Sequence, residues 1–313
     1  MESGRSQSGV GPRDYRKDFI SLYRAVQRQF YDSASGFYKD FEEPAPKNGY
    51  SYCWPLCGLL QAFNEAEAAG IKAGGRAPGE GISRANDDRL RIVGSNQPTV
   101  QPITALLDRY KSNKPPMLDP GGPPVPGYDS YIVQFGGGDR FYDDNQWLGL
   151  AWMDAWFRKR SPSLLERGKL IYRFMMKGYD TVAGGGLYWE EGKSSSKNTC
   201  SNGPGIVLAL QLYKATQEKK YLDTALLLYH WVDAHLRDTT DGLYFDNIRT
   251  RDHRIGRKKF SYNTGTMLQS NVYLYELTKE PVYLRRAKAI ADSAARYFYG
   301  SGKFRDGYWF NAV

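Results

Sequence analysis

Leu212-Tyr213-x-x-Thr216-x4-Tyr221-Leu222 returns, sixty-two residues further along the chain, as Leu274-Tyr275-x-x-Thr278-x4-Tyr283-Leu284. Each copy joins two stretches of helical periodicity, so each reads as the turn of one helical hairpin. After the first copy Leu222, Ala225, Leu226, Tyr229, Val232 and Leu236 recur at three- and four-residue steps; after the second, Tyr283, Ala287, Ile290, Ala294 and Tyr297 do the same. Each series marks one apolar face. Working outward, similar stretches run through about 15–31, 54–69, 98–112, 144–159, 162–178, 204–216 and 265–278. The pattern therefore predicts nine helices, mostly paired through short turns, with little strand-like alternation.

A second repeated element follows the outer helix of a pair: Gly36-Phe37-Tyr38, Gly186-Leu187-Tyr188-Trp189, Gly242-Leu243-Tyr244-Phe245 and Gly307-Tyr308-Trp309-Phe310. Glycine turns the chain, and the aromatics offer flat surface just before the next helix. Hairpins of about 60 residues with an aromatic loop at one end predict an all-α solenoid or closed α/α toroid. The interval from Gly70 to Tyr142, rich in Gly and Pro from Pro115 to Gly138, holds one clear helix and reads as an insertion in the second hairpin.

The 313 residues suffice for one large domain. With 41% hydrophobic and 25% charged residues the composition is globular, which excludes intrinsic disorder as the main state. No apolar run approaches the roughly 18–20 residues that span a bilayer. Residues 1–13 are polar and Gly/Ser-rich, a flexible segment without the hydrophobic core of a secretory signal. The net charge is +9, but the basic residues are scattered apart from Arg249 to Lys259, a solvated loop that could lie near an anionic ligand; no nucleic-acid partner is expected. Cys53, Cys57 and Cys200 match neither a zinc set nor a disulfide scaffold and read as buried or idle thiols. With three histidines, two of them (His230 and His235) within an apolar-periodic helix, neither Ser-His-Asp nor metal-hydrolase chemistry is favoured, and no metal or cofactor is expected.

The sharpest chemical feature is Phe141-Tyr142-Asp143-Asp144-Asn145-Gln146-Trp147, where a loop containing Gly136-Gly137-Gly138 enters an apolar helix. One Asp at a helix start is an ordinary cap. A second adjacent carboxylate adds like-charge repulsion, which capping does not explain. Asp87-Asp88, set among arginines, is another such pair. If inner and outer helices alternate, inner helices begin near Trp54, Asp144, Pro204 and Gly265, and their entry segments meet on one rim. Those segments are Tyr50-Ser51-Tyr52-Cys53-Trp54, Tyr142-Asp143-Asp144-Asn145, Lys197-Asn198-Thr199-Cys200-Ser201-Asn202-Gly203 and Phe260-Ser261-Tyr262-Asn263-Thr264. Aromatics stack on sugar C–H faces and amides and hydroxyls bond sugar hydroxyls, so the rim reads as a carbohydrate site. Paired carboxylates suit glycoside hydrolysis, one ionised and the other protonated. Neighbouring helical residues point about 100° apart, so the pair is expected to converge only if Asp143 lies in the loop or at the cap.

In Tyr142 to Leu148, Gly185 to Trp189 with Lys197 to Pro204, Gly242 to Asp246 and Tyr262 to Gly265, the chain resembles glycoside hydrolase family 76, the endo-α-1,6-mannanases and their fungal cell-wall relatives. The resemblance implies an (α/α)6 barrel and a retaining mechanism, with Asp143 as nucleophile and Asp144 as general acid/base. It also implies substrate contacts from Trp54, Asn145, Trp189, Asn198, Asn202, Tyr244, Asp246, Tyr262 and Asn263, an α-1,6-mannan or manno-oligosaccharide as partner of a monomer, and a secreted, periplasmic or cell-surface location. Such a barrel has twelve helices where nine are counted, so residues 14–313 are expected to form one catalytic domain that lacks its last helices. A cell-wall transglycosidase and a non-catalytic glycan-binding protein are the alternative readings. Sugar epimerisation would call for histidine pairs that the rim does not have.

Overall fold

The computed structural model describes residues 13–40, 49–72, 98–115, 121–300, 302–307 and 310. Asp87 and Asp88 lie outside these residues, as do Tyr308 and Trp309. Nine α-helices occur among the described residues: α1 Tyr15–Gln29, α2 Cys53–Ala68, α3 Val100–Leu107, α4 Tyr142–Lys159, α5 Pro162–Met175, α6 Thr199–Thr216, α7 Lys219–His235, α8 Ser261–Thr278 and α9 Pro281–Phe298. The strands are short: β1 Tyr31–Asp32, β2 Phe37–Tyr38, β3 Lys111–Lys114, β4 Val125–Tyr128, β5 Tyr188–Glu190, β6 Lys193–Asn198, β7 Asn247–Arg249, β8 Ile255–Gly256, β9 Tyr299–Gly300 and β10 Lys303–Phe304.

Inner and outer helices alternate as the periodicity predicts. α2, α4, α6 and α8 pack side by side, each with its hairpin partner outside. In α6 every residue from Thr199 to Leu212 is buried, as befits a helix enclosed on all sides. Outer α7 buries one face, including Tyr221, Ala225, Leu228, Tyr229 and Val232.

The sequence repeat is a repeat of geometry. Thr216 and Thr278 donate their hydroxyls to the carbonyls of Leu212 and Leu274 at 2.8 and 2.7 Å and accept from the backbone N–H of Glu218 and Glu280, both at 3.2 Å. Between them Gln217 and Lys279, each at φ 61°, close α6 and α8 in the left-handed conformation. Arg160, at φ 55°, ends α4 in the same way ahead of Ser161-Pro162. The backbone N–H of each left-handed residue reaches back to the carbonyl four residues earlier, satisfying one orphan group of the helix end.

The glycine-aromatic loops are a second geometric repeat. Gly36, Gly186 and Gly242 sit at φ 77°, 78° and 76°, a region costly for residues with a Cβ. The residues after them serve packing more than display: Phe37, Tyr38, Leu187, Tyr188, Leu243 and Tyr244 are all buried, whereas Trp189 stays open. The four-stranded antiparallel sheet β5-β6-β7-β8, absent from the sequence reading, joins two of these loops across the entries of α4 and α6.

Candidate active site

α4 begins earlier than its apolar pattern suggests. Phe141 is the N-cap, so Asp143 and Asp144 both belong to the first helical turn. The expectation that Asp143 must lie at the cap or in the loop is therefore corrected. A first turn has free N–H groups and the positive end of the helix dipole, and both suit carboxylates. Asp143 uses one oxygen to accept from the backbone N–H of Asp144 at 3.1 Å and the other to accept from the indole Nε1–H of Trp189, also at 3.1 Å.

Trp189 reaches this position through the sheet. Phe141 and Glu190 pair as an antiparallel bridge, and the Phe141 and Trp189 rings pack with centroids 5.0 Å apart. Beneath them the buried Arg140 grips Glu191 through two charge-assisted bonds of 2.6 and 2.8 Å and donates a third to the Val125 carbonyl. The loop entering α4 and the turn after β5 are thereby fastened together.

The surroundings treat the two carboxyls differently. Burial pushes Asp143 up to about 6, against the opposing pull of hydrogen bonds from Cys200, the Asp144 N–H and Trp189. No such donor to the Asp144 carboxyl occurs among the described residues; burial and the neighbouring Asp143 charge raise it well above the usual carboxylate range. The surroundings thus favour ionisation of Asp143 before Asp144, an asymmetry of the kind that paired carboxyl chemistry requires.

The cysteines are buried, as expected, but two of them lie against the pair. Cys57 donates its thiol to the backbone carbonyl of Asp144 at 3.4 Å, and Cys200 bonds the Asp143 carboxylate. Cys53, one turn before Cys57, accepts from that same thiol through its carbonyl at 3.5 Å. Cys200 stands in a rim segment, which was the available signal; Cys57 lies beyond the segment that ends at Trp54 and had none.

Tyr262, in the first turn of α8, approaches Cys200, Asp143 and Asp246, and burial drives its phenol far above the ordinary range. Asp246 is also raised by burial, with the Asn247 and Asn263 amides and the Lys258 charge opposing. Asn263 is fully buried with its amide toward Asp246, yet neither amide atom has a well-aligned hydrogen-bond partner among the described residues. Trp54, in the first turn of α2, faces Phe310 at 6.3 Å, and Phe310 stacks on Tyr262 at 5.3 Å with the rings 21° apart. Asn198 caps α6 next to Asn247 in the sheet, with its side-chain oxygen bonded by Ser196. Asp143, Asp144, Trp189, Tyr262, Asp246 and Asn263 are therefore brought together, with Trp54 and Asn198 at the edges.

Three expected contacts are corrected. Asn145 donates to the Tyr128 and Phe141 carbonyls and accepts from the Tyr128 N–H. Asn202 does the same with Leu187 and Asn198. Each amide stands four residues after its helix cap and fastens the preceding loop, leaving nothing for a sugar. Tyr244 is fully buried in the outer layer, bridged to Arg237 and close to Tyr229 and Asp233. The expected Pro204 start of α6 is also corrected, since the helix begins at Thr199 and carries Pro204 inside it.

No cluster of three metal-ligating side chains occurs among the described residues. His235 stacks on Trp231 in the outer layer, and His253 is exposed in the basic hairpin.

The model of glycosyl hydrolase family 76 matches residues 123–307. A mannan endo-1,6-alpha-mannosidase, DCW1 of Candida glabrata, is 29% identical over 174 residues, covering 51% of this chain and 39% of that relative. The match thus spans about two-fifths of the relative's length. A family 76 α-mannanase from Bacteroides thetaiotaomicron superposes with a TM-score of 0.76 at 24% identity, over 96% of this chain and 76% of that one. An inactive variant of a Salegentibacter α-1,6-mannanase, with two consecutive aspartates changed to asparagine and α-1,6-mannotriose bound, superposes with a TM-score of 0.64 at 23% identity, over 90% and 70%. The fold is that of the (α/α)6 barrel.

Proposed function

The chain belongs to glycosyl hydrolase family 76, and on that footing we propose that it is a retaining endo-α-1,6-mannanase that uses Asp143 as nucleophile and Asp144 as general acid/base. The carrying observation is the unequal pair on the first turn of α4, one carboxyl held by donors and the other left to burial and repulsion. Consecutive residues on a helix point about 100° apart, so side-chain rotation, and not the helix alone, sets how far apart two such carboxyls stand. Retaining glycosidases hold their two carboxyls about 5–5.5 Å apart, whereas inverting ones leave room for a water between. The mannotriose complex of the Salegentibacter variant supports the same reading, because consecutive aspartates were the residues changed there.

In the first step an Asp143 oxygen bonds the anomeric carbon as the glycosidic C–O bond breaks, and the Asp144 proton passes to the departing oxygen. In the second, Asp144 takes a proton from water, whose oxygen attacks the anomeric carbon and releases Asp143. Trp189 both orients Asp143 and offers an open ring to a sugar, while Tyr262, Asp246 and the Asn263 amide beside it bind hydroxyls. Its substrate is a wall polysaccharide, so the working location is periplasmic, cell-surface or secreted.

The test is incubation with linear α-1,6-mannan and other α-linked glycans, reading products by size and anomeric configuration. A ladder of short oligosaccharides from the mannan alone, with retained configuration and loss of turnover in Asp143→Asn and in Asp144→Asn, is the expected result. Near-normal turnover in either variant would overturn the roles. Longer products when an acceptor glycan is added would assign the second step to a sugar hydroxyl in place of water.

A further inference from the structure

The basic run Arg249 to Lys259 folds as the β7-β8 hairpin and its exit into α8, and most of its cations have partners. Arg249, Arg251 and Arg254 gather around Asp252 at 2.9, 3.8 and 3.7 Å. Lys259 is held between Asp238 and Asp241, both at 2.7 Å. Arg257 and Lys258 differ: both are exposed, and neither lies within salt-bridge distance of a carboxylate among the described residues. Each is instead held over a ring of the candidate site's wall. The Arg257 guanidinium is 5.2 Å from the centroid of Phe245, the residue before Asp246, and the Lys258 ammonium is 4.5 Å from that of Phe260. Phe260 packs against Tyr262 at 5.6 Å and Phe310 at 5.0 Å, which puts Lys258 on the rim of the cluster containing Asp143.

We propose that Arg257 and Lys258 form a subsite for a phosphate ester carried by the glycan, so that the enzyme favours phosphorylated over neutral α-1,6-mannan. A cation over an aromatic face is fixed in place while its N–H groups remain free toward solvent. Two adjacent cations repel one another, and the Asp246 charge, which Lys258 feels from beyond salt-bridge distance, offsets this only in part; a neutral glycan adds nothing to relieve it. A phosphate has several acceptor oxygens and bonds both donors at once. The sheet ties the subsite to the reaction centre: Gly256, next to Arg257, accepts from the Asp246 N–H at 3.0 Å and pairs with Asn247. This inference rests on the mannanase reading, which it refines.

The experiment compares kcat/KM on an α-1,6-mannan bearing phosphate monoesters with that on the same polymer after phosphatase treatment. At low ionic strength the wild type should favour the phosphorylated polymer by about three- to tenfold, the range of two partly exposed ion pairs, and salt should erode the difference. The double variant Arg257→Ala/Lys258→Ala should bring the ratio close to one, whereas Arg251→Ala/Arg254→Ala should preserve it. Equal rates on the two polymers with wild type, or a preference that survives the first double variant, would overturn the proposal. If neither polymer is cut, the mannanase reading fails; calorimetric affinities for the two polymers with the same variants then decide the subsite by the same ratios.

Discussion

Replacing Trp189 by Phe keeps an aromatic ring on the wall of the site and removes one N–H donor from Asp143. That donor lies 3.1 Å from Oδ2 and favours the ionised form. A hydrogen bond to a charged group contributes about 1.5–3 kcal/mol, equivalent to roughly 1–2 pKa units at 1.36 kcal/mol each. Trp189 is 43% exposed, so water replaces part of what is lost, and the expected rise falls to half of that range, about 0.5–1 unit. The sign follows from the role: a nucleophile must be ionised, and Asp143 starts near 6. The acid limb of the kcat/KM profile, which reports the free enzyme's coupled pair, should therefore move to higher pH. The assay is release of a chromogenic leaving group from an α-1,6-mannotrioside between pH 4 and 8. An acid limb that stays in place, or moves to lower pH, would refute the claim that the indole holds Asp143 ionised.

Cys200→Ser puts a stronger donor beside Asp143 and should move the same limb to lower pH, read with the same substrate. Asp143 is raised in the folded state from 3.8 to about 6, so its ionisation costs stability that is fully present below the unfolded value and lost as pH rises through the folded one. Asp143→Asn should accordingly raise Tm at pH 7, by up to about 3 kcal/mol of stability from roughly two pKa units, and the gap from wild type should close toward pH 4. Asn202→Ala strands the buried Leu187 N–H and carbonyl and should cost about 2–4 kcal/mol in denaturant unfolding, with Asn145→Ala matching it; a loss below about 0.5 kcal/mol, the size of an ordinary surface change, would refute the bracing role. Arg140→Met leaves Glu191 buried and unpaired and should cost about 3–5 kcal/mol, most of it recovered in Arg140→Met/Glu191→Met.

Hydrophobic periodicity locates a helix by its apolar face, and this is why the hairpins were legible while the helix starts were not. The inner helices were read as beginning near Trp54, Asp144, Pro204 and Gly265, whereas they begin at Cys53, Tyr142, Thr199 and Ser261. The residues misplaced, among them Asp143, Ser201, Asn202, Tyr262 and Asn263, are polar yet buried or half-buried, because the first turns of the inner helices line the candidate site. Sequence pattern fails where polar chemistry displaces packing. The third hairpin turn, at Arg160-Ser161-Pro162, shares the left-handed closure of the other two but lacks their threonine, so residue identity concealed a repeat that backbone geometry reveals.

Within the site, what could be read depended on how many roles one residue type can fill. An aspartate pair at a helix entry has few structural uses, and it stood out. An amide in the same turn has two: it can bond a sugar or its own preceding loop. Asn145 and Asn202 take the second course and Asn263 does not, a difference made by the extended residues Tyr128 and Leu187, which lie opposite the first two. Those partners come from loops and from short strands such as Lys193-Ser194-Ser195-Ser196-Lys197-Asn198, which has no apolar alternation to announce it. The shared spacing was nevertheless a usable signal. An Asn four residues after a helix cap, found once in α4 and again in α6, points to bracing in both, and Asn263, three residues after Phe260, breaks that register. Moving the amide one position along α8, by Asn263→Ala/Thr264→Asn, should therefore remove a substrate contact and raise KM while giving α8 the brace that α4 and α6 already have. A variant whose KM stays at the wild-type value would show that the Asn263 amide does not bind the glycan.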